Sequence, residues 1–151
     1  MRDYLLKYPY AEIRSQDGLS HFKIYTYGYA FPLHEAGYDS DWQKNYLYLT
    51  IPAFKAEVDD VMLQGKLMKS YLAALEKFSK LEIEEAIFEP LEQNFRLIFL
   101  LNTFKKVIVK GYIQYPVGWG AELIFEFETD LTYVDTFLGG IKNILYHYPP
   151  R

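Results

Sequence analysis

The clearest strand pattern of the chain is AELIFEFET, residues 121–129. Leu123, Phe125 and Phe127 alternate with glutamates, and only Ile124 interrupts the alternation. Because successive side chains of a strand point to opposite faces of a sheet, this pattern predicts a strand with one buried face and one solvated face. We therefore expect a sheet that is covered by other elements on one side.

The residues that follow this strand predict an amphipathic C-terminal helix that ends at Pro149-Pro150. Asp130 or Thr132 can cap it, because a side-chain oxygen there can accept a hydrogen bond from a free N–H group of the first turn. Gly139-Gly140 in the middle costs about 1 kcal/mol per glycine relative to alanine. We therefore expect close backbone packing against the sheet, or a local kink. The apolar face of the helix consists of Tyr133, Phe137, Ile141, Ile144 and Tyr148.

Upstream, a second helix is predicted over residues 66–79, where Leu67, Tyr71, Leu75 and Phe78 recur at helical spacing. Residues 31–41 predict a long loop, since they contain Pro, Gly and Asp. Further strands are predicted over residues 21–30, 46–51, 54–59, 83–88, 95–101 and 107–115. The expected fold is α+β, with residues 1–151 as a single domain. A curved, mainly antiparallel sheet of about six or seven strands carries one mid-chain and one C-terminal helix.

The composition limits the class of protein. The 151 residues include no cysteine, which excludes a disulfide framework and fits a reducing compartment. The first residues carry charges too early for a signal-peptide core, and the apolar run of residues 97–101 is far shorter than the ~20 residues that span a bilayer. With a net charge of −4 and no basic block, the chain lacks the footprint of a nucleic-acid binder. We expect a cytoplasmic protein that binds neither nucleic acid nor membrane.

The patterns of known catalytic and cofactor sites are missing from the sequence. The three histidines lie in no nucleophile motif such as GxSxG. Gly118-Trp119-Gly120 lacks the third glycine of a dinucleotide-binding loop and predicts a turn between strands. Trp119 at such a turn can serve as an interface anchor. We therefore predict no enzyme activity, no catalytic residue and no cofactor.

Two other clusters have a structural and a functional interpretation. The loop from His34 to Asp41 gathers one imidazole and three carboxylates, which are ligand types for divalent metals. Its spacing matches neither a calcium loop nor a zinc helix motif, so we expect local turn bonds and no metal site. Tyr25, Tyr27 and Tyr29 share one strand face, where cross-strand packing is commoner than a ligand groove. The carboxylates of Glu126 and Glu128 are predicted to form a solvated face.

The segment from Glu122 to Val134 resembles the strand-to-helix signature of WapI-type immunity proteins, which are small bacterial proteins. Gly37-Tyr38-Asp39-Ser40-Asp41-Trp42 before a strand, followed by a mid-chain helix, is similar to the layout of the same group. The likeness covers residues 37–148. It implies a cytoplasmic, non-catalytic protein without a cofactor that binds and blocks a protein toxin. It transfers no site residues.

The resemblance and the exposed residue types lead to one hypothesis and two alternatives. The candidate partner-binding residues are Tyr38, Asp39, Asp41, Trp42 and Trp119. The first alternative is a small-ligand binding domain, in which the tyrosine-lined sheet and a tryptophan form an aromatic pocket. The second is an enzyme that uses the loop from His34 to Asp41.

Overall fold

The computed structural model describes residues 3–151, and it describes the side chains of residues 5–34 and 37–151. Eight strands occur in this part of the chain: β1 Tyr10–Arg14, β2 His21–Tyr29, β3 Trp42–Ile51, β4 Phe54–Gln64, β5 Glu85–Phe88, β6 Phe95–Leu101, β7 Val107–Tyr115 and β8 Ala121–Thr129. The α-helices are α1 Leu33–Ala36, α2 Gly65–Ser79 and α3 Leu131–His147. Two 3-10 helices span Asp3–Lys7 and Gly37–Asp41.

The strands form two four-stranded antiparallel sheets, with the orders β1-β2-β3-β4 and β5-β6-β7-β8. The predicted α+β class and the two long helices are confirmed. The strand number is eight, slightly above the predicted six or seven, and the strands form two sheets instead of one. The first sheet includes the unpredicted β1. In both sheets each strand pairs only with strands next to it in the sequence, and α2 lies between the last strand of the first sheet and the first strand of the second.

The two sheets are joined by aromatic packing in a shared core. The ring of Phe22 on β2 lies 5.5 Å from that of Phe95 on β6 and 6.2 Å from that of Phe125 on β8, between centroids. One cluster of buried apolar residues includes members of both sheets and of both long helices. This burial is the main source of stability, since apolar surface removed from water contributes about 25 cal/mol per Å².

The long helices pack as their apolar faces predict. On α2, Tyr71 stacks on Phe88 with a centroid distance of 4.1 Å, and on α3, Phe137 lies 5.5 Å from Phe99. The predicted cap of α3 is confirmed, because the N–H of Tyr133 donates to the Asp130 carboxylate at 3.0 Å. Each helix therefore contacts the second sheet, and α3 also packs against β1 of the first sheet.

Gly140 confirms the expected close approach between α3 and a strand. A Cβ atom at this position would lie 2.6 Å from the Cα atom of Ala11 and 2.6 Å from the carbonyl oxygen of Tyr10, both on β1. A Cβ at Gly139 would meet nothing within 4 Å. Only one glycine of the pair is therefore required by packing.

The tyrosine row of β2 packs across strands, as predicted. Tyr25 is buried and lies 5.2 Å from Tyr10 on β1 and 6.2 Å from Tyr46 on β3, between ring centroids. Leu5 from the first 3-10 helix completes this small second cluster. The N-terminal residues thus cover the sheet face that points away from the main core.

The region predicted as a loop over residues 31–41 contains α1 and the second 3-10 helix. The strand after it begins at Trp42 instead of Tyr46. The prediction missed this part of β3 because Gln43 and Asn45 are polar and yet fully buried, which hides the alternation of the strand. No helix in the described part of the chain is long and apolar enough to cross a membrane.

Candidate partner-binding groove

An open groove of about 570 Å³ lies where an end of the first sheet meets an end of the second. We call it the inter-sheet groove. One side comes from the segment before β3 and from the middle of β4, and the other from the loop before β6 and the turn after β7. Its wall consists of Phe31, Asp39, Trp42, Asp60, Val61, Glu92, Asn94, Tyr115, Pro116 and Val117.

The charged side chains of the groove wall are all acidic. Asp39, Asp60 and Glu92 come from three separate segments, and all three are exposed. The wall includes no lysine, arginine or histidine. Within the described residues, none of the three carboxylates forms a salt bridge. A concave surface lined by one sign of charge focuses its field, so the groove attracts cations.

Aromatic and apolar side chains surround these carboxylates. Phe31, Tyr115 and Val117 keep more than a third of their surface exposed, although large apolar groups are usually buried. Trp42 is half-buried in the wall. Such rings give a protein interface much of its binding energy when a partner covers them.

Two of the five sequence-predicted residues line this groove, and two others lie close in sequence to wall residues. Asp39 and Trp42 lie in the groove wall itself. Tyr38 precedes Asp39 and is 98% exposed, and Trp119 follows Val117 in the turn between β7 and β8 and is 81% exposed. The fold thus brings the distant segments that carry Asp39 and Trp42 and residues 115–117 to the same groove.

The turn that carries Trp119 is the one predicted from Gly118 and Gly120. The N–H of Gly120 donates to the carbonyl oxygen of Pro116 at 2.9 Å. Gly118 has a φ of +88°, a conformation that side chains disfavour. This turn leaves the Trp119 ring exposed at the end of the hairpin between β7 and β8.

Asp41 differs from the other predicted residues because it is 3% exposed. Its carboxylate accepts hydrogen bonds from the backbone N–H groups of Lys66 at 2.9 Å and Arg151 at 3.0 Å. A buried carboxylate whose oxygens are bound in this way stabilises the fold. Asp41 offers no free surface to a partner, so it is excluded from the candidate site.

Asn94 is a wall residue that the sequence did not indicate. It is 4% exposed, and its side-chain oxygen has no hydrogen-bond partner within the described part of the chain. Buried polar atoms are nearly always paired, so an unpaired acceptor in a groove wall requires an explanation. Its position before the apolar run of β6 is typical of any turn residue, and only the structure places it in the groove.

A buried polar network supports the groove from the first sheet. The Thr26 hydroxyl donates to the side-chain oxygen of Gln43 at 3.0 Å. The Asn45 side-chain oxygen accepts from the N–H of Leu63 at 2.8 Å. The pairing of β3 with β4 shifts register between Gln43 and Lys44, and Asn45 satisfies an N–H that this irregularity frees. The network therefore fixes the strand segments that carry Trp42 and Asp60–Val61.

The other sequence hypotheses find less support. Among the described residues, no group of three or more histidines and carboxylates is placed to hold a metal ion. The side chain of Glu35, part of the proposed loop, lies outside the described residues. Glu128 pairs with Lys106 at 3.0 Å on the exposed face. Tyr25, Tyr27 and Tyr29 do not line the inter-sheet groove, so they form no aromatic ligand pocket there.

Large exposed rings beside an open groove are typical of surfaces that contact other macromolecules. The chain itself belongs to the immunity protein WapI-like family, whose family model matches residues 12–149. This match extends beyond the likeness seen from residue 37 and includes β1 from Glu12 onward and all of β2. No curated protein matches the chain.

Proposed function

We propose that this protein is an immunity protein that binds a toxin through the inter-sheet groove and blocks it by contact, without catalysis. Family membership supports the general role. The observation that carries the proposal is the joint exposure of carboxylates and large rings at one groove. Exposed apolar patches that are bordered by polar residues often mark a protein interaction site.

The groove and its rim have the layout of an interface centre. Stable protein interfaces bury about 800 Å² per partner, with a few aromatic anchors near the middle. Tyr38 and Trp119 are exposed rings within two residues of wall residues in the sequence, and we expect them to act as anchors at the rim of the groove. A protein that protects a cell in this way acts where the toxin acts, and the absence of cysteine suits the reducing cytoplasm that we propose as its location.

Co-expression with the toxin encoded by a neighbouring gene tests the proposal. The wild-type chain is expected to restore growth and to form a stable complex, measured by calorimetry with purified proteins. The double variant Tyr38→Ala, Trp119→Ala is expected to weaken the complex about 30-fold or more, the loss typical of interface anchors.

Phe104→Ala is the matched control for the anchor variant. Phe104 is as exposed as Trp119, at 81%, but it lies in the turn at the opposite end of β7. Its loss is expected to leave affinity unchanged. If the wild-type chain neither binds nor neutralises the neighbouring toxin, the proposed function is rejected.

A further inference from the structure

The inter-sheet groove combines two features that select for one kind of occupant. The first is its charge. Asp39, Asp60 and Glu92 line one concavity without a basic residue in the wall. Like charges in a shared concavity repel one another, and a cation that enters relieves the repulsion of all three.

The second feature is the aromatic part of the wall. Trp42 and Phe31 line the same groove as the carboxylates. A guanidinium or ammonium group over the face of an aromatic ring is attracted by the ring's quadrupole, and tryptophan gives the strongest attraction. Rings beside carboxylates favour a basic side chain over a purely apolar one.

We propose that the inter-sheet groove receives a basic side chain, arginine or lysine, from a segment of the partner protein. The carboxylates neutralise its charge, and the rings pack against it. This inference rests on the proposed function for the identity of the partner, but its chemistry is testable without the toxin.

The first test uses the isolated protein. Isotope-labelled protein is titrated with N-acetyl-arginine methylamide and, in parallel, with the citrulline analogue, which has the same shape but no charge. At concentrations up to about 20 mM, where millimolar binding is detectable, the arginine compound is expected to shift the signals of the Trp42 indole and the Asn94 side-chain amide. Equal shifts with both compounds, or shifts confined to other residues, would overturn the inference.

The second test uses the complex with the toxin. The variant Asp39→Asn, Asp60→Asn, Glu92→Gln removes three charges from the groove. The matched control, Glu82→Gln, Glu84→Gln, Glu85→Gln, removes three charges from exposed positions between α2 and the start of β5. The groove variant is expected to lose about 100-fold in affinity, as for a desolvated charge contact, and the control less than about threefold.

The outcomes separate the two proposals. Equal losses in both triple variants would show a general charge effect and overturn the groove assignment, while toxin binding by the wild type would still support the immunity role. A positive arginine titration with no toxin neutralised would reject the immunity role alone. A dimer of this chain that the groove variant abolishes, measured by sedimentation, would identify a second copy as the occupant and overturn the inference.

Discussion

The carboxylate of Asp41 accepts a hydrogen bond from the backbone N–H of Arg151, with an oxygen–nitrogen distance of 3.0 Å. Its other oxygen accepts from the N–H of Lys66 in the first turn of α2, at 2.9 Å. One buried side chain therefore connects the 3-10 helix over Gly37–Asp41, the start of α2 and residue 151. The segment that brings Asp39 and Trp42 to the inter-sheet groove is held in place by this connection.

Substitution Asp41→Asn is expected to lower the free energy of unfolding by about 2 kcal/mol. The amide has only one oxygen that can accept a hydrogen bond, and its NH2 group would face one of the two backbone N–H donors. Chemical denaturation measures the change. Asp39→Asn is the control: Asp39 is exposed, so its effect is expected within about 0.5 kcal/mol. Similar losses from both variants would contradict the structural role of Asp41.

The adjacent glycines of α3 are expected to respond in opposite directions to alanine. Gly140→Ala places a Cβ atom 2.6 Å from the backbone of β1, and such overpacking costs about 1–3 kcal/mol. Gly139→Ala enters open space and is expected to stabilise the helix by about 1 kcal/mol. Thermal denaturation of both variants checks this, and stabilisation by Gly140→Ala would show that α3 lies farther from β1.

Tyr71→Phe is expected to raise the free energy of unfolding by about 1 kcal/mol at neutral pH. The Tyr71 hydroxyl is buried without a partner among the described residues, and its removal eliminates an unpaired polar group while the stack on Phe88 remains. Urea denaturation compares this variant with Tyr146→Phe, a control at an exposed tyrosine of α3. A loss of stability in Tyr71→Phe alone would indicate that the hydroxyl is bound.

The same residue predicts a pH dependence. Burial raises the pKa of Tyr71 well above its ordinary value of 10.0. A group whose pKa is higher in the folded state keeps its proton there while the unfolded chain loses it, so stability falls as pH rises above the ordinary pKa. The wild type is therefore expected to lose stability above about pH 10, and Tyr71→Phe to lose less. Parallel alkaline losses in the two proteins would rule out this group as the cause.

Asp17 predicts a dependence at the acidic end. The Ser15 hydroxyl donates to its carboxylate at 2.6 Å and the Leu19 N–H at 3.0 Å, and these bonds hold the pKa of Asp17 below its ordinary value of 3.8. Its contribution to stability is present above the ordinary pKa and lost as pH falls below it. Ser15→Ala is expected to raise the pKa of Asp17, as measured by carboxyl-carbon NMR. Thr136→Ala, on exposed α3 surface, should not alter that titration.

The shared core predicts that the two sheets unfold together as one domain. Phe22 of the first sheet packs against Phe95 and Phe125 of the second. The slowest-exchanging backbone N–H groups of β2 and of β7 are therefore expected to report the same opening free energy. A difference of more than about 1 kcal/mol in hydrogen exchange would indicate two independently folding halves.

The local sequence pattern predicted those strands and helices that have one apolar face and one polar face. Leu123, Phe125 and Phe127 predicted β8, and Asp130 or Thr132 predicted the start of α3, because alternation and capping depend on neighbours along the chain. Trp119 was placed at a turn for the same reason, because Gly118 and Gly120 are its neighbours in the sequence. The family resemblance also came from residues that are close in sequence.

Tertiary structure alone decided how these elements combine. The division into two sheets, the burial of Asp41 and Asn45, and the place of Asn94 in the groove depend on segments that are far apart in sequence. The sequence around a polar residue is the same whether its side chain binds water or a distant backbone N–H group. Only the packed chain brings Asp39, Asp60 and Glu92 into one concavity, because their proximity is a consequence of the two sheets meeting.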